Sequence, residues 1–298
     1  MRDLTVVSQG VPLAVRDFGG VGHPVVLLHG LGRSLVDWSV IGPMLGSSHR
    51  TVAFDLRGHG ESGDGSWAWA AALADISAVA NRLDLGTPAV VGHSLGGMLA
   101  VMWAKAHPNT PAVVNVDGHG NRRLSQYVGI EPEDARRRIA AAEGRVRGSL
   151  DALAGPLPPP LVEQLLAQQR ALAEQFGAPE EMFVESINRT LRREDGGVYL
   201  RPSPTGLGRE ILADAEAFDM FALYPELRCQ VLVVAGTEPD PGADPELMAA
   251  YRLGLRRDLE RVAANNAKVT VQFLKGGHGL LFEHPDDLAI RVAAFLSR

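Results

Sequence analysis

Gly92-His93-Ser94-Leu95-Gly96-Gly97 is the stretch whose residue types point most directly to chemistry. It follows the apolar run "PAVV" and precedes the helical pattern "LGGMLAVMWAKA", so it matches G-x-S-x-G at a strand-to-helix turn. In so tight a turn, side chains at positions 92 and 96 would collide with neighbouring backbone, and the Ser94 hydroxyl is lifted above the sheet. The Leu95 N–H then sits at the positive start of a helix, where it can donate to a developing oxyanion. A second glycine loop, His29-Gly30-Leu31-Gly32, follows "PVVLL", and the Leu31 N–H is the natural second donor. A serine nucleophile needs a base. Of nine histidines, His278 in "LKGGHGLLFEHP" fits best, because Gly276, Gly277 and Gly279 let its loop fold back over the sheet. His29 and His59 read as parts of rigid turns, His284 as a helix-start residue, and His119 yields its claim to His278. No histidine or cysteine spacing suits a metal, and none is expected. "GLGRSL" lacks the third glycine of a dinucleotide loop.

An acid must orient the imidazole, and two places offer one. "VDGHGNRR" puts Asp117 at the end of one buried run, where it could equally cap a loop. "GTEPDPGADPE" puts Glu238 and Asp240 after another such run.

The elements that must hold these residues are short apolar runs at 24–30, 50–56, 88–94, 112–118, 230–236 and 269–274. Runs this short and this uniformly apolar suit parallel strands buried on both faces. An opening hairpin, "LTVVSQG" with "VPLAVRDFGG", precedes them, and helical patterns lie between them. Strand then helix, repeated, predicts a doubly wound α/β sheet. The alternation breaks from about 118 to 228. That segment carries charged amphipathic patterns, "EPEDARRRIAAAEGRVRGSLDALAG" and "PLVEQLLAQQRALAEQFG", and reads as a mostly helical insertion. The expected division is a core of 1–117 and 229–298 with a helical cap of 118–228.

Bulk numbers exclude some classes. A net charge of -6 gives no basic face for nucleic acid. No apolar run approaches the roughly 18 residues of a membrane span. "MRDLTVVSQG" is not a signal peptide, so a cytoplasmic location is the expectation. Cys229 reads as an inert core thiol, and Trp38, Trp67, Trp69 and Trp103 as packing residues. Arg136 to Arg138 read as a solvated helix face.

The set "HGLG", "DLRGHGES", "GHSLGG" and "GGHG", in this order, resembles the α/β-hydrolase superfamily over nearly the whole chain outside the insertion. The resemblance implies an eight-stranded, mostly parallel sheet with a lid inserted after strand six. It also implies a Ser–acid–His triad in that chain order, with Ser94 as nucleophile, His278 as general base, and Leu31 and Leu95 as oxyanion donors. A serine at the elbow argues against the dehalogenase and epoxide hydrolase branches, which use an aspartate. Most members carry the acid after strand seven, three residues past its closing glycine. Here that glycine is Gly236 and the third residue is Pro239, flanked by Glu238 and Asp240. Some members place the acid at the end of strand six, where Asp117 stands. The choice stays open between Asp240, which the family majority favours, and Asp117, with Glu238 third.

The activity implied is cofactor-independent hydrolysis of an ester, lactone or thioester of a fairly apolar small molecule, through an acyl-enzyme on Ser94. Acyl transfer, cyclisation or C–C cleavage at the same site is an alternative, and so is a receptor-like protein that keeps the hydrolase shell. Leu150, Leu153, Leu165, Leu166, Phe176, Met182, Phe183 and Ile187 are candidates to line a pocket under the lid, although most are expected to form the lid's own core.

Overall fold

Valine, leucine and alanine fill the centre of the sheet, and their alternation decides which face each side chain joins. The computed structural model describes residues 1–239 and 243–297. The strands of the main sheet are β1 (Arg2–Ser8), β2 (Val11–Gly19), β3 (Pro24–Leu28), β4 (Arg50–Phe54), β5 (Ala89–His93) and β6 (Ala112–Val116). After the insertion, with its own short strands β7 (Leu191–Glu194) and β8 (Gly197–Leu200), come β9 (Gln230–Gly236) and β10 (Val269–Leu274). The main sheet has eight strands in the order β1-β2-β4-β3-β5-β6-β9-β10. Only the pairings of β1 with β2 and of β2 with β4 are antiparallel. This is the eight-stranded, mostly parallel α/β sheet that the sequence implies.

Helices cover both faces. The chain forms α1 (Ile41–Leu45), α2 (Trp69–Arg82) and α3 (Leu95–Ala106) before the insertion, and α8 (Pro245–Asn265), α9 (Leu280–Glu283) and α10 (Pro285–Leu296) after it. Val26, Leu28, Val90, Val231 and Val233 point to one core, shared with Ile76, Leu99, Leu255 and Leu259 of α2, α3 and α8. Val25, Leu27, Val91, Val114, Leu232 and Val234 point to the other, shared with Ile41 and Leu45 of α1 and Leu288 and Val292 of α10. The period of two in the strands thus feeds two apolar layers, which is what a doubly wound sheet requires.

The insertion carries α4 (Pro132–Ala152), α5 (Pro159–Phe176), α6 (Glu180–Thr190) and α7 (Leu207–Ala217). It also carries the β7–β8 hairpin, whose four-residue strands form no apolar run of their own. The signal was present: Asp195 and Gly196 both take positive φ, 48° and 75°, as an Asp-Gly hairpin turn demands. Leu153, Leu165, Leu166 and Ile187 pack with Leu157, Val162 and Leu191 in a small separate cluster. Phe176, Met182 and Phe183 instead join the core that contains Phe282. Arg136 and Arg137 pair with Glu133 and Asp134 on the exposed side of α4, whereas Arg138 reaches Asp244 and Glu246 at the start of α8. Cys229 is buried, and burial pushes its thiol above the ordinary range.

Candidate active site

Four loops at the carboxyl ends of β3, β5, β6 and β10 converge at one edge of the sheet, where open α/β sheets bind ligands. Ser94 links β5 to α3 with φ 54° and ψ −116°, a left-handed region that a serine adopts only when its surroundings hold it there. A Cβ on Gly92 would lie 2.0 Å from the Gly96 carbonyl, and one on Gly96 would lie 2.3 Å from the Leu28 carbonyl. Glycine at both positions is therefore a steric necessity, as the motif predicts. The Ser94 N–H continues the sheet ladder, donating to the Val116 carbonyl at 2.9 Å.

His278 arrives from the other side, on the loop after β10. That loop is tied to the end of β9: Thr237 N–H donates to Leu274 and Glu238 N–H to Gly276. Gly277 N–H donates to Glu283 Oε2 at 3.1 Å, and His93 Nε2 donates to the His278 carbonyl at 2.8 Å. The imidazole so held has Nε2 2.9 Å from Ser94 Oγ and Nδ1 2.8 Å from Asp117 Oδ2. With the proton on Nδ1, it donates to the carboxylate and accepts from the hydroxyl. That tautomer can take the serine proton.

Asp117 directly follows β6, and its N–H donates to the Val234 carbonyl at 2.8 Å. Its φ of 51° is left-handed too. Asn115 enforces the turn: its amide nitrogen donates to the Gly118 carbonyl and to Tyr224 Oη, and its oxygen accepts from Gly118 N–H. Gly118 has no alternative, since a Cβ there would lie 2.2 Å from the Ser94 carbonyl. The carboxylate, 2% exposed, accepts from His278, from His119 Nε2, from Gly236 N–H and from both terminal nitrogens of Arg252. Burial works against its ionisation, but the hydrogen bonds from His119 and His278 and the Arg252 charge outweigh it. They hold the carboxyl well below the usual range.

Of the acids left open in the sequence, Asp117 is the one found beside the imidazole. Among the described residues, the carboxylate at His278 Nδ1 is Asp117. Asp240 lies outside the described residues. Glu238 turns to Lys275 at 3.9 Å and is 48% exposed. The reason is local: Asn115 and Gly118 curl the chain so that Asp117 faces back over the sheet instead of leading outward.

The Leu31 loop is fixed by buried polar groups. His29 Nδ1 donates to the Gly30 carbonyl at 2.8 Å, and its Nε2 accepts from Leu56 N–H at 3.0 Å. This is the structural role expected of His29. A Cβ on Gly30 would lie 3.2 Å from Ser94 Cβ, so the loop passes against the serine. Leu95 opens α3, where the first N–H groups have no partner within the helix.

The alpha/beta hydrolase family model matches residues 25–291. The chain belongs to the alpha/beta hydrolase family. N-formylmaleamate deformylase of Pseudomonas putida is 31% identical over 135 residues, covering 41% of this hydrolase and 50% of the deformylase. That alignment spans half of the relative, so the relative's activity does not carry across with it. Pimeloyl acyl-carrier-protein methyl ester esterase of Aromatoleum aromaticum is 29% identical over 274 residues, covering 90% of this chain and 96% of the esterase. The crystal structure of E-2-(acetamidomethylene)succinate hydrolase superposes with a TM-score of 0.71 at 20% identity, covering 100% of this chain and 99% of that one. Among the described residues of this hydrolase, no helix is long and apolar enough to cross a membrane.

Two site residues escaped the sequence reading. His119 was set aside, yet it sits on the Asp117 carboxylate. Arg252 lies unmarked within the helical pattern that forms α8. The available signal is its place at helical spacing with Met248, Leu255 and Leu259, an arginine in line with buried apolar residues.

Buried imidazoles give the alpha/beta hydrolase a pH signature. Burial pushes His59 down to about 3 and His93 down to about 4. An unfolded histidine titrates near 6.5. Between that value and the folded ones, the unfolded chain binds protons that the native state refuses, so stability falls as pH drops. Thermal unfolding should show a steady Tm above pH 7 and a falling Tm from 6.5 to 4. The loss is on the order of 3 kcal/mol per imidazole by pH 4. His59→Asn should flatten that slope by about one bound proton.

Proposed function

We propose that this alpha/beta hydrolase is a carboxylic ester hydrolase, cleaving an ester, lactone or thioester of a fairly apolar small molecule through an acyl-enzyme on Ser94. The observation that carries this reading is the continuous relay Ser94 Oγ–His278–Asp117, with contacts of 2.9 and 2.8 Å, built on a left-handed serine. His278 Nε2 takes the hydroxyl proton as Ser94 Oγ bonds to the acyl carbon. The carbonyl oxygen becomes an oxyanion, which the Leu31 and Leu95 N–H groups receive. The tetrahedral species collapses, the C–O or C–S bond to the leaving group breaks, and His278 returns the proton to that group. Water, deprotonated by the same nitrogen, then releases the acid. Asp117 holds the productive tautomer and stabilises the imidazolium. These steps need no cofactor.

The segment 118–228 serves in this reading as the cap over the acyl pocket. It leaves the core directly at Asp117. Its helix α6 is anchored beside the Leu31 loop by Ser186 Oγ donating to Asp37 at 3.0 Å and by an Arg189–Asp55 ion pair at 2.7 Å. The names of the relatives cover a deformylase, a methyl ester esterase and an acetamidomethylene-succinate hydrolase, so kinship supports hydrolysis more firmly than it supports one bond type.

The test is pre-steady-state hydrolysis of p-nitrophenyl esters of increasing acyl length. The expected result is a burst of p-nitrophenol matching the enzyme concentration, followed by slower turnover. The reading is contradicted if neither these esters nor a parallel set of lactones and thioesters is turned over.

A further inference from the structure

Arg252 reaches inward from α8 to the carboxylate that orients His278. Nη1 lies 2.8 Å from Asp117 Oδ1 and Nη2 lies 3.2 Å from Oδ2, the oxygen that also accepts from His278. The two side chains are 7% and 2% exposed, so solvent screens the pair weakly. The close approach is built in: Gly254 lets α8 press onto the segment at Gln126, where a Cβ would lie 2.1 Å from the Gln126 carbonyl. An orienting carboxylate needs one bond to the imidazole. Gly236 N–H and His119 already satisfy much of its remaining capacity. A permanently charged guanidinium adds something that neutral donors do not.

We propose that Arg252 is a positioning residue that sets the pH range in which His278 is available as a base. This rests on the reading of Ser94, His278 and Asp117 as the catalytic relay. An imidazolium beside a lone carboxylate gains the full attraction of one negative charge. Beside a carboxylate already paired with a guanidinium, it gains less and meets a second cation. His278 therefore stays unprotonated, and active, to lower pH than it would without Arg252. The fork also fixes the carboxylate in the plane that meets Nδ1.

The other described groups around His278 come from three places. Asp117 follows β6. His93 ends β5, with its ring 4.8 Å from the His278 ring. His119 lies in the loop after β6. Glu283, in α9, holds Gly277. Burial lowers the affinity of both His93 and His119 for protons, which leaves Arg252 as the permanent cation of this set.

The test compares the pH profiles of kcat/KM for p-nitrophenyl acetate in the parent, Arg252→Met and Arg252→Lys. In Arg252→Met the midpoint of the acid limb should rise by about one pH unit, so the loss relative to parent is about tenfold greater at pH 5 than at pH 8. Arg252→Lys should bring the midpoint back toward that of the parent. Profiles of Arg252→Met that run parallel to the parent, with equal loss at every pH, would assign Arg252 a purely structural role and overturn the proposal. If Arg252→Met does not fold, Asp117→Asn and Asp117→Asn/Arg252→Met replace it, since neither strands a buried carboxylate. The NMR midpoint of the His278 imidazole should rise by about one pH unit in the double variant, and coincident midpoints would overturn the proposal. Ser94→Ala separates the two readings. Turnover that survives in Ser94→Ala sinks the relay itself, whereas Ser94-dependent turnover with parallel profiles sinks only the role of Arg252.

Discussion

Ser94→Ala should fold like the parent and lose on the order of 10⁵ to 10⁶ in kcat toward p-nitrophenyl esters. The fold should survive because what holds residue 94 is its backbone: its N–H donates to Val116, and its carbonyl accepts from Met98 N–H. Alanine meets the same strain at φ 54° as serine does, so the exchange adds none. What disappears is the oxygen that His278 activates. KM should change little, because substrate binding does not depend on the hydroxyl. A small residual rate is expected from the oxyanion donors alone. Circular dichroism and kcat on the same sample check both halves.

The second large effect falls on Asp117. Asp117→Asn should reduce kcat by about 10³ to 10⁴, because an amide nitrogen facing His278 favours the tautomer with its proton on Nε2, which cannot accept from Ser94. The variant should also lose stability, by about 3–5 kcal/mol, since it removes one partner of a buried ion pair. Asp240→Asn should keep the greater part of its rate. Reversed ranks, with Asp240→Asn collapsing and Asp117→Asn active, would reassign the acid.

Much of this architecture was legible in the chain. The strand edges that carry Leu31, Ser94 and His278 follow from short apolar runs ending in glycine-rich loops, because such loops leave a buried parallel sheet in few ways. The hydrogen-bonded partnership of Ser94 with His278 follows from the same logic. The acid was harder to place. Its position depends on the turn that Asn115 and Gly118 impose on Asp117, and that turn is closed by Tyr224, more than a hundred residues away in sequence. Spacing rules carry no such information. Arg252 is obscured for a related reason, since only the fold brings it to Asp117, 135 residues away in sequence, whereas His119 has its partner two residues off and its side-chain direction is set by the same turn. The β7–β8 hairpin, by contrast, has a readable Asp-Gly turn, but its strands are short and β7 is mostly charged.

The measurement that bears most directly on this account is peptide mapping of the enzyme after treatment with a fluorophosphonate at neutral pH. One adduct per chain, on the peptide carrying Ser94 and absent from Ser94→Ala, is the predicted result. An unmodified Ser94 under conditions where a known serine hydrolase is fully labelled, or an adduct that persists in Ser94→Ala, would contradict it.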